Sequence, residues 1–113
     1  MWKVVDHPEA TAEYSALNAR EAVAIDNAVE KLRVVGASLG YPHTSDVKNT
    51  QKLRELRPRA GRSPVRAFYR QIGDTFVIGA YGPEAESNPK GFKRACEDAV
   101  RRLNQITVTK GSS

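Results

Sequence analysis

The sequence predicts a single small α+β domain with the element order β-α-α-β-β-β-α. Its 113 residues suffice for one hydrophobic core and leave no room for separate modules. The chain is 40% hydrophobic and 27% charged, as in an ordinary globular domain. Segments of strand and helix periodicity follow one another in that order. We therefore expect an antiparallel sheet packed on a helical hairpin and a C-terminal helix, with the domain at 1–107 and a disordered tail at 108–113.

The first half of the chain predicts one strand and two helices. Residues 2–6 contain β-branched Val4 and Val5 and favour a strand. Pro8 suits the first turn of a short helix near 8–17. Asn18 with Glu21 resembles a capping box, and apolar residues then recur at helical spacing up to residue 36. Residues 36–51 are rich in Gly, Pro, Ser, Thr and Asn and predict a loop.

The second half predicts three strands and a helix. The strands are expected at 52–57, 65–72 and 75–78, and the Gly-Asp link before the last one indicates a hairpin. A final helix opens at Pro89. One apolar stripe runs along this helix, formed by Phe92, Ala95, Cys96, Ala99, Leu103 and Ile106. Cys96 is therefore expected to be a core residue.

The positive charge is concentrated in one segment. The whole chain carries +5, but residues 1–47 contain seven acids against four Lys or Arg. Residues 48–70, the basic segment, contain eight Lys or Arg and a single acid, Glu55. Such a segment predicts a polyanion or an acidic protein as partner.

Several classes of site and location are not expected. The single cysteine, Cys96, excludes a disulfide framework and a multi-thiolate zinc site, and it fits a cytoplasmic protein. His7 and His43 have no partners at metal-ligand or catalytic-triad spacing. We predict neither a metal nor a cofactor, and no stretch is apolar enough for a membrane span.

Strand alternation predicts which residues of the basic segment share a face. Arg66, Phe68 and Arg70 alternate on one face of their strand, and Arg57 lies on the neighbouring strand. Guanidinium groups bind phosphate, and an exposed Phe offers a base a stacking surface. A solvated outer face of the sheet is the alternative. The predicted nucleic-acid-binding residues are Lys48, Lys52, Arg54, Arg59, Arg62 and Phe68.

Three stretches resemble the RelE/HigB-like toxins of bacterial type II toxin–antitoxin modules. They are Leu-Gly-Tyr-Pro-His at 39–43, Lys-Leu-Arg-Glu-Leu-Arg-Pro at 52–58 and Gly-Arg-Ser-Pro-Val-Arg-Ala-Phe-Tyr at 61–69, followed by the hairpin. The resemblance implies a metal-independent endoribonuclease that cleaves mRNA on the ribosome and is neutralised by an acidic helix-turn-helix antitoxin.

The same resemblance implies catalytic residues. Arg66 matches the strand arginine that meets the scissile phosphate in that family, and Arg57 ends the Glu-Leu-Arg strand. Arg70 and Tyr81 complete the candidate set. The chain departs from the family after the last strand, where it has Gly-Pro-Glu-Ala-Glu at 82–86 in place of a Lys-rich ending. A ParE-like gyrase inhibitor and a non-catalytic nucleic-acid-binding member of the fold therefore remain alternatives.

Overall fold

The computed structural model describes residues 1–50 and 52–111. In chain order the elements are β1 (Lys3–Asp6), α1 (Pro8–Ser15), α2 (Ala19–Val35), β2 (Thr44–Asp46), β3 (Arg54–Leu56), β4 (Val65–Ile72), β5 (Thr75–Pro83) and α3 (Pro89–Gly111). Short 3-10 turns follow α2 at Gly36–Ser38 and β3 at Pro58–Gly61. The predicted tail at 108–113 overlaps the end of α3, and residues 112 and 113 lie outside the described residues. None of the described helices is long and apolar enough to cross a membrane.

The N-terminal helices begin where the sequence predicts. The His7 ring accepts a hydrogen bond from the Glu9 backbone N–H at the start of α1. Asn18 caps α2 in the same way, since its Oδ1 accepts from the backbone N–H of Glu21 at 2.9 Å. These caps satisfy N–H groups that have no partner within the first helical turn.

The five strands form one mixed sheet in the order β1-β5-β4-β3-β2. The predicted antiparallel meander is confirmed as β3-β4-β5. β1 lies parallel to β5, although an antiparallel sheet was expected. The sequence did not indicate this pairing, because the side-chain period of a strand does not reveal the direction of its neighbour. β2 pairs with β3 at the other edge, within residues predicted as loop. It has only three residues, too few to show alternation.

Each face of the sheet has its own hydrophobic core. Ala67 and Tyr69 of β4 point into the core beneath α1 and α2. Phe68 points the other way, into the core beneath α3, where it packs with Cys96 and Leu103. The predicted core position of Cys96 is confirmed, and burial raises the pKa of its thiol to about 12. The fold thus has three layers, with the sheet between the hairpin and α3.

Helix α3 lies directly against β5 at Gly79. The register of β4 with β5 shifts between Phe68 and Tyr69, which leaves Gly79 as an extra residue in a bulge. A Cβ atom here would lie 2.9 Å from Leu103 Cγ and 3.0 Å from the Ala99 backbone. Glycine therefore permits the close approach of helix and strand.

Arg102 joins α3 to α1. Its guanidinium donates two 3.1 Å hydrogen bonds to the Glu13 carboxylate and one of 2.9 Å to the Gly79 carbonyl. Burial acts to lower the pKa of Arg102, but the hydrogen bond to Glu13 and the neighbouring carboxylates outweigh it and raise the pKa. The ion pair therefore fixes the C-terminal helix against the N-terminal one.

Arg70 is buried under α3 with fewer partners. Its Nη1 donates to Asn104 Oδ1 at 2.9 Å. In the described part of the chain its Nε and Nη2 have no hydrogen-bond partner. Burial lowers the pKa of Arg70, in keeping with a cation that has lost water without gaining a carboxylate.

Arg70 and Arg102 are expected to respond differently to substitution by methionine. Arg102→Met leaves the Glu13 carboxylate without its cation and should lower the free energy of unfolding by about 3 kcal/mol. Arg70→Met removes a poorly partnered charge and should stay within about 1 kcal/mol of the wild type. Urea denaturation followed by circular dichroism measures both. Equal decreases in the free energy of unfolding for the two variants would contradict the view that only Arg102 has a strong carboxylate partner.

Candidate nucleic-acid interface

The exposed cations of the basic segment lie on β3 and the loops beside it. Lys48 and Lys52 are exposed before β3, and Arg59 and Arg62 are exposed after it. Arg54 and Arg57 of that region are partly buried. Arg54 pairs with Asp46 on β2 and donates to Thr44 Oγ1 at 3.3 Å. Five of the six predicted binding residues thus reach the surface at least in part.

The expected exposed face of β4 is a wrong prediction. Arg66, Phe68 and Arg70 do share one face, but they are 4%, 0% and 8% exposed. The predicted alternation was correct, but the face is not exposed. Helix α3 packs over Phe68 and Arg70, and the loop between β3 and β4 encloses Arg66. Phe68 stacks edge-on with Phe92 of that helix and cannot serve as a platform for a base.

Tyr81 lies on the opposite side of the sheet from these arginines. Its hydroxyl donates to the Asp6 carboxylate at 2.8 Å, between β5 and β1. Burial and the charge of Asp6 raise the pKa of Tyr81. The bulge at Gly79 changes which β5 residues face α3. The structure therefore does not bring Tyr81 together with the other three candidate catalytic residues.

Arg66 holds the loop between β3 and β4. Its Nε donates to Glu55 Oε2 at 3.2 Å, its Nη2 donates to the Gly61 carbonyl at 3.2 Å, and its Nη1 donates to the Ser63 carbonyl. Burial lowers the pKa of Arg66, an effect opposed by Glu55. The side chain therefore has an internal, loop-fixing role in this conformation.

Arg57 is more accessible than Arg66. Its Nε donates to the Pro42 carbonyl at 3.0 Å, and its Nη1 lies 3.6 Å from Glu55 Oε1. The side chain remains 19% exposed. Gly61 has a φ of +92°, and a Cβ there would lie 2.5 Å from Arg57 Nη2. Glycine thus allows both the turn and the position of this guanidinium.

A cleft of about 300 Å³ lies beside these residues and is called the Glu55 cleft. It combines two guanidinium groups with three carboxylates and is lined by Glu55, Arg57, Gly61, Arg66, Glu84, Ala85 and Glu86. Glu84 accepts hydrogen bonds from the backbone N–H groups of Glu86 and Ser87, at 2.7 and 3.0 Å. Hydrogen bonding by Ser87 and Glu86 lowers the pKa of Glu84, which makes it a weaker base.

Glu55 organises the site, and the sequence analysis did not identify that role. Besides the two arginines it accepts a 3.0 Å hydrogen bond from the Ser45 hydroxyl. The sequence does contain one indication of this role, because Glu55 is the only acid within the basic segment. A search of the described residues finds no cluster of His, Cys, Asp and Glu that could hold a metal ion.

Comparisons with known proteins identify the family and the fold. The family model "Phage derived protein Gp49-like (DUF891)" matches residues 12–78, more than half of the chain. No curated protein matches the sequence.

The solved structures that resemble this one are toxins of the RelE fold. The free state of a double arginine-to-alanine mutant of E. coli toxin RelE has a TM-score of 0.58 at 12% identity, covering 82% of this chain and 96% of that one. The YoeB-YefM complex from Staphylococcus aureus gives 0.54 at 16%, covering 72% and 94%. The archaeal RelE-RelB complex from Pyrococcus horikoshii OT3 gives 0.52 at 16%, covering 75% and 97%. The chain therefore has a RelE-like fold.

The Asp6–Tyr81 pair predicts a pH-dependent stability. Desolvation raises the pKa of Asp6 above its ordinary value of 3.8, although the Tyr81 hydrogen bond opposes the shift. Between 3.8 and the raised value the folded protein binds more protons than the unfolded chain, so this group's contribution to stability falls as pH rises through that window. Asp6→Asn should remove this dependence. Urea midpoints from about pH 3 to pH 7 measure it, and a pH-independent difference between the two proteins would contradict it.

Proposed function

This chain belongs to the phage-derived Gp49-like family, and we propose that it is the toxin of a type II toxin–antitoxin module that cleaves mRNA on the ribosome without a metal ion. The observation that carries the proposal is the Arg57 guanidinium, which lies partly exposed in the Glu55 cleft within a surface of exposed cations. The RelE-like fold supports it, because the similar solved structures are of proteins called toxins. We also propose that the protein acts in the cytoplasm.

The proposed reaction is attack of an RNA 2′-hydroxyl on the adjacent phosphate. The new bond joins the 2′-oxygen to phosphorus, and the bond to the 5′-oxygen breaks. The departing 5′-oxygen takes a proton from solvent water, which leaves a 2′,3′-cyclic phosphate and a free 5′-hydroxyl. We assign Arg57 as the cation that stabilises the negative charge developing on the phosphate oxygens. Glu86 is exposed, and its carboxylate has no hydrogen bond or ion pair within the described residues. We assign it as the base that accepts the 2′-hydroxyl proton.

Arg66 and Arg70 do not contact the phosphate in this proposal. Both are buried, so neither reaches a phosphate without movement of its surroundings. Arg66 positions Arg57 through Glu55, which contacts both guanidinium groups. Tyr81, on the other face, stabilises the packing of β5 against β1.

The proposed partner is an acidic antitoxin with a helix-turn-helix part. The exposed cations of the basic segment offer it a complementary surface. The YoeB-YefM and RelE-RelB structures are complexes, which supports a partner of this kind. A short gene for such a protein beside this one, and rescue of growth when both are expressed, would support the assignment.

A ParE-like gyrase inhibitor is the second candidate function. It is favoured by the three carboxylates of the Glu55 cleft, because they repel phosphate where a nuclease of this fold should attract it. A supercoiling assay with purified gyrase distinguishes the two functions. Inhibition of supercoiling with intact mRNA would select this alternative.

Arg57→Ala tests the nuclease proposal. Loss of the guanidinium should slow mRNA cleavage about a hundredfold, the order expected for one donor to a developing oxyanion. Primer extension on mRNA with programmed ribosomes measures the cleavage, and induced expression measures growth arrest. Arg20→Ala removes an exposed cation of α2 that does not line the Glu55 cleft and should keep wild-type activity.

Two results would contradict the proposal. One is intact mRNA with the wild-type protein. The other is wild-type cleavage by an Arg57→Ala protein whose circular dichroism spectrum shows that it is folded.

A further inference from the structure

A second cleft lies on the other side of Arg57, between α2 and the Pro58–Gly61 turn. This α2 cleft has a volume of about 190 Å³ and is lined by Ala24, Asn27, Ala28, Lys31, Leu39, His43, Leu56, Arg57 and Arg59. Three of these side chains are cations and one is a histidine, whereas none of the lining residues is acidic. An anion is therefore the ligand that this cleft fits.

The polar groups of the α2 cleft are held in place from three parts of the chain. Lys31 Nζ, from α2, lies 3.5 Å from His43 Nδ1. The His43 carbonyl accepts a 2.9 Å hydrogen bond from the Arg57 backbone N–H, so His43 is fixed beside β3. Lys31 forms no ion pair with a carboxylate in the described residues. Its charge is therefore available to a ligand.

Arg59 reaches the cleft from a strained turn. Arg59 and Ala60 both have φ 56°, in the left-handed region that non-glycine residues rarely adopt. The Arg59 carbonyl accepts hydrogen bonds from the backbone and the side chain of Arg62, which holds the turn in this shape. The fold thus maintains an unfavourable backbone that places a cation at the cleft.

An aromatic ring beside the cleft indicates what kind of anion it fits. Tyr41 is 74% exposed, and the Arg57 guanidinium carbon lies 5.0 Å from its ring centroid. An exposed aromatic ring next to a group of cations is the arrangement that single-stranded nucleic acids use, with a base on the ring and a phosphate on the cations. An acidic peptide would form ion pairs with the cations and would not require an aromatic ring for binding.

We propose that Tyr41 and the α2 cleft form a nucleotide-binding subsite for single-stranded RNA, in which Tyr41 stacks a base and Lys31, His43 and Arg59 bind a phosphate. Arg57 lines both clefts, so a strand bound here leads past Arg57 into the Glu55 cleft. The subsite rests on the proposed function for the identity of its ligand. The cations of the subsite attract the phosphates of the strand, whereas the carboxylates of the Glu55 cleft repel them.

Binding of a short 2′-O-methyl oligouridylate to the full chain tests the subsite without cleavage, because this probe lacks the 2′-hydroxyl nucleophile. Fluorescence anisotropy at several salt concentrations gives the affinity and its salt dependence. Lys31→Gln should weaken binding roughly three- to tenfold and reduce the salt slope by about one. Tyr41→Ala should weaken binding about tenfold and leave the slope nearly unchanged. Arg20→Gln removes a charge from the same helix outside the cleft and should stay within about twofold of the wild type.

Arg59→Gly and Ala60→Gly separate binding from folding. Both substitutions relieve a left-handed backbone, so neither protein should melt below the wild type. Only Arg59→Gly removes a cleft cation, so only it should bind the probe more weakly, by roughly three- to tenfold.

The subsite is overturned if Lys31→Gln and Arg20→Gln bind alike, or if Arg59→Gly binds as Ala60→Gly does. It is also overturned if the wild type binds an acidic peptide but not the oligouridylate. If the expected binding pattern appears while programmed ribosomes keep their mRNA intact, the subsite is supported and the nuclease function fails.

Discussion

The buried ion pair between Glu55 and Arg66 fixes the part of the molecule on which both clefts depend. Glu55 projects from β3 and Arg66 from β4, and the guanidinium also binds two carbonyls of the loop that joins these strands. A buried pair of this kind contributes little net stability but strongly specifies one geometry, because an unpaired partner would be costly. Here the specified geometry is that of the turn carrying Arg59 and of the guanidinium of Arg57.

The second constraint is the position of α3. Gly79 lets this helix lie against β5, and the Arg102–Glu13 ion pair holds it there. The helix covers Phe68 and Arg70 on one face of β4, whereas Arg66 on the same face is enclosed by Glu55 and the loop between β3 and β4. The exposed cations of the basic segment consequently occupy only part of that segment's surface. They lie on the β3 side and its flanking loops.

Charge is therefore divided between two neighbouring clefts. The Glu55 cleft mixes guanidinium and carboxylate groups, which suits proton transfer close to a stabilising cation. The α2 cleft contains cations and a histidine without acids, which suits binding of an anion. Arg57 lines both clefts and is partly exposed, so in the proposed reaction it is the residue that links RNA binding in the α2 cleft to cleavage in the Glu55 cleft.

Much of the fold followed from local patterns. The start of α1 at Pro8, the cap at Asn18, the β3-β4-β5 meander and the apolar stripe of α3 all depend on residues close together in sequence, and all are present. The parallel pairing of β1 and the three-residue strand β2 had no such local signal. The site was less predictable, since alternation correctly grouped Arg66, Phe68 and Arg70 but carried no information about what covers them.

The sequence alone was enough to predict the order of every helix and strand except β2, the concentration of positive charge between residues 48 and 70, and the family to which the chain belongs. The tertiary structure alone decided which of those charges face solvent. Burial depends on contacts between residues far apart in the chain, such as Arg70 with Asn104 and Phe68 with Phe92. Such contacts leave no periodic signal, because each is set by how whole helices pack on the sheet.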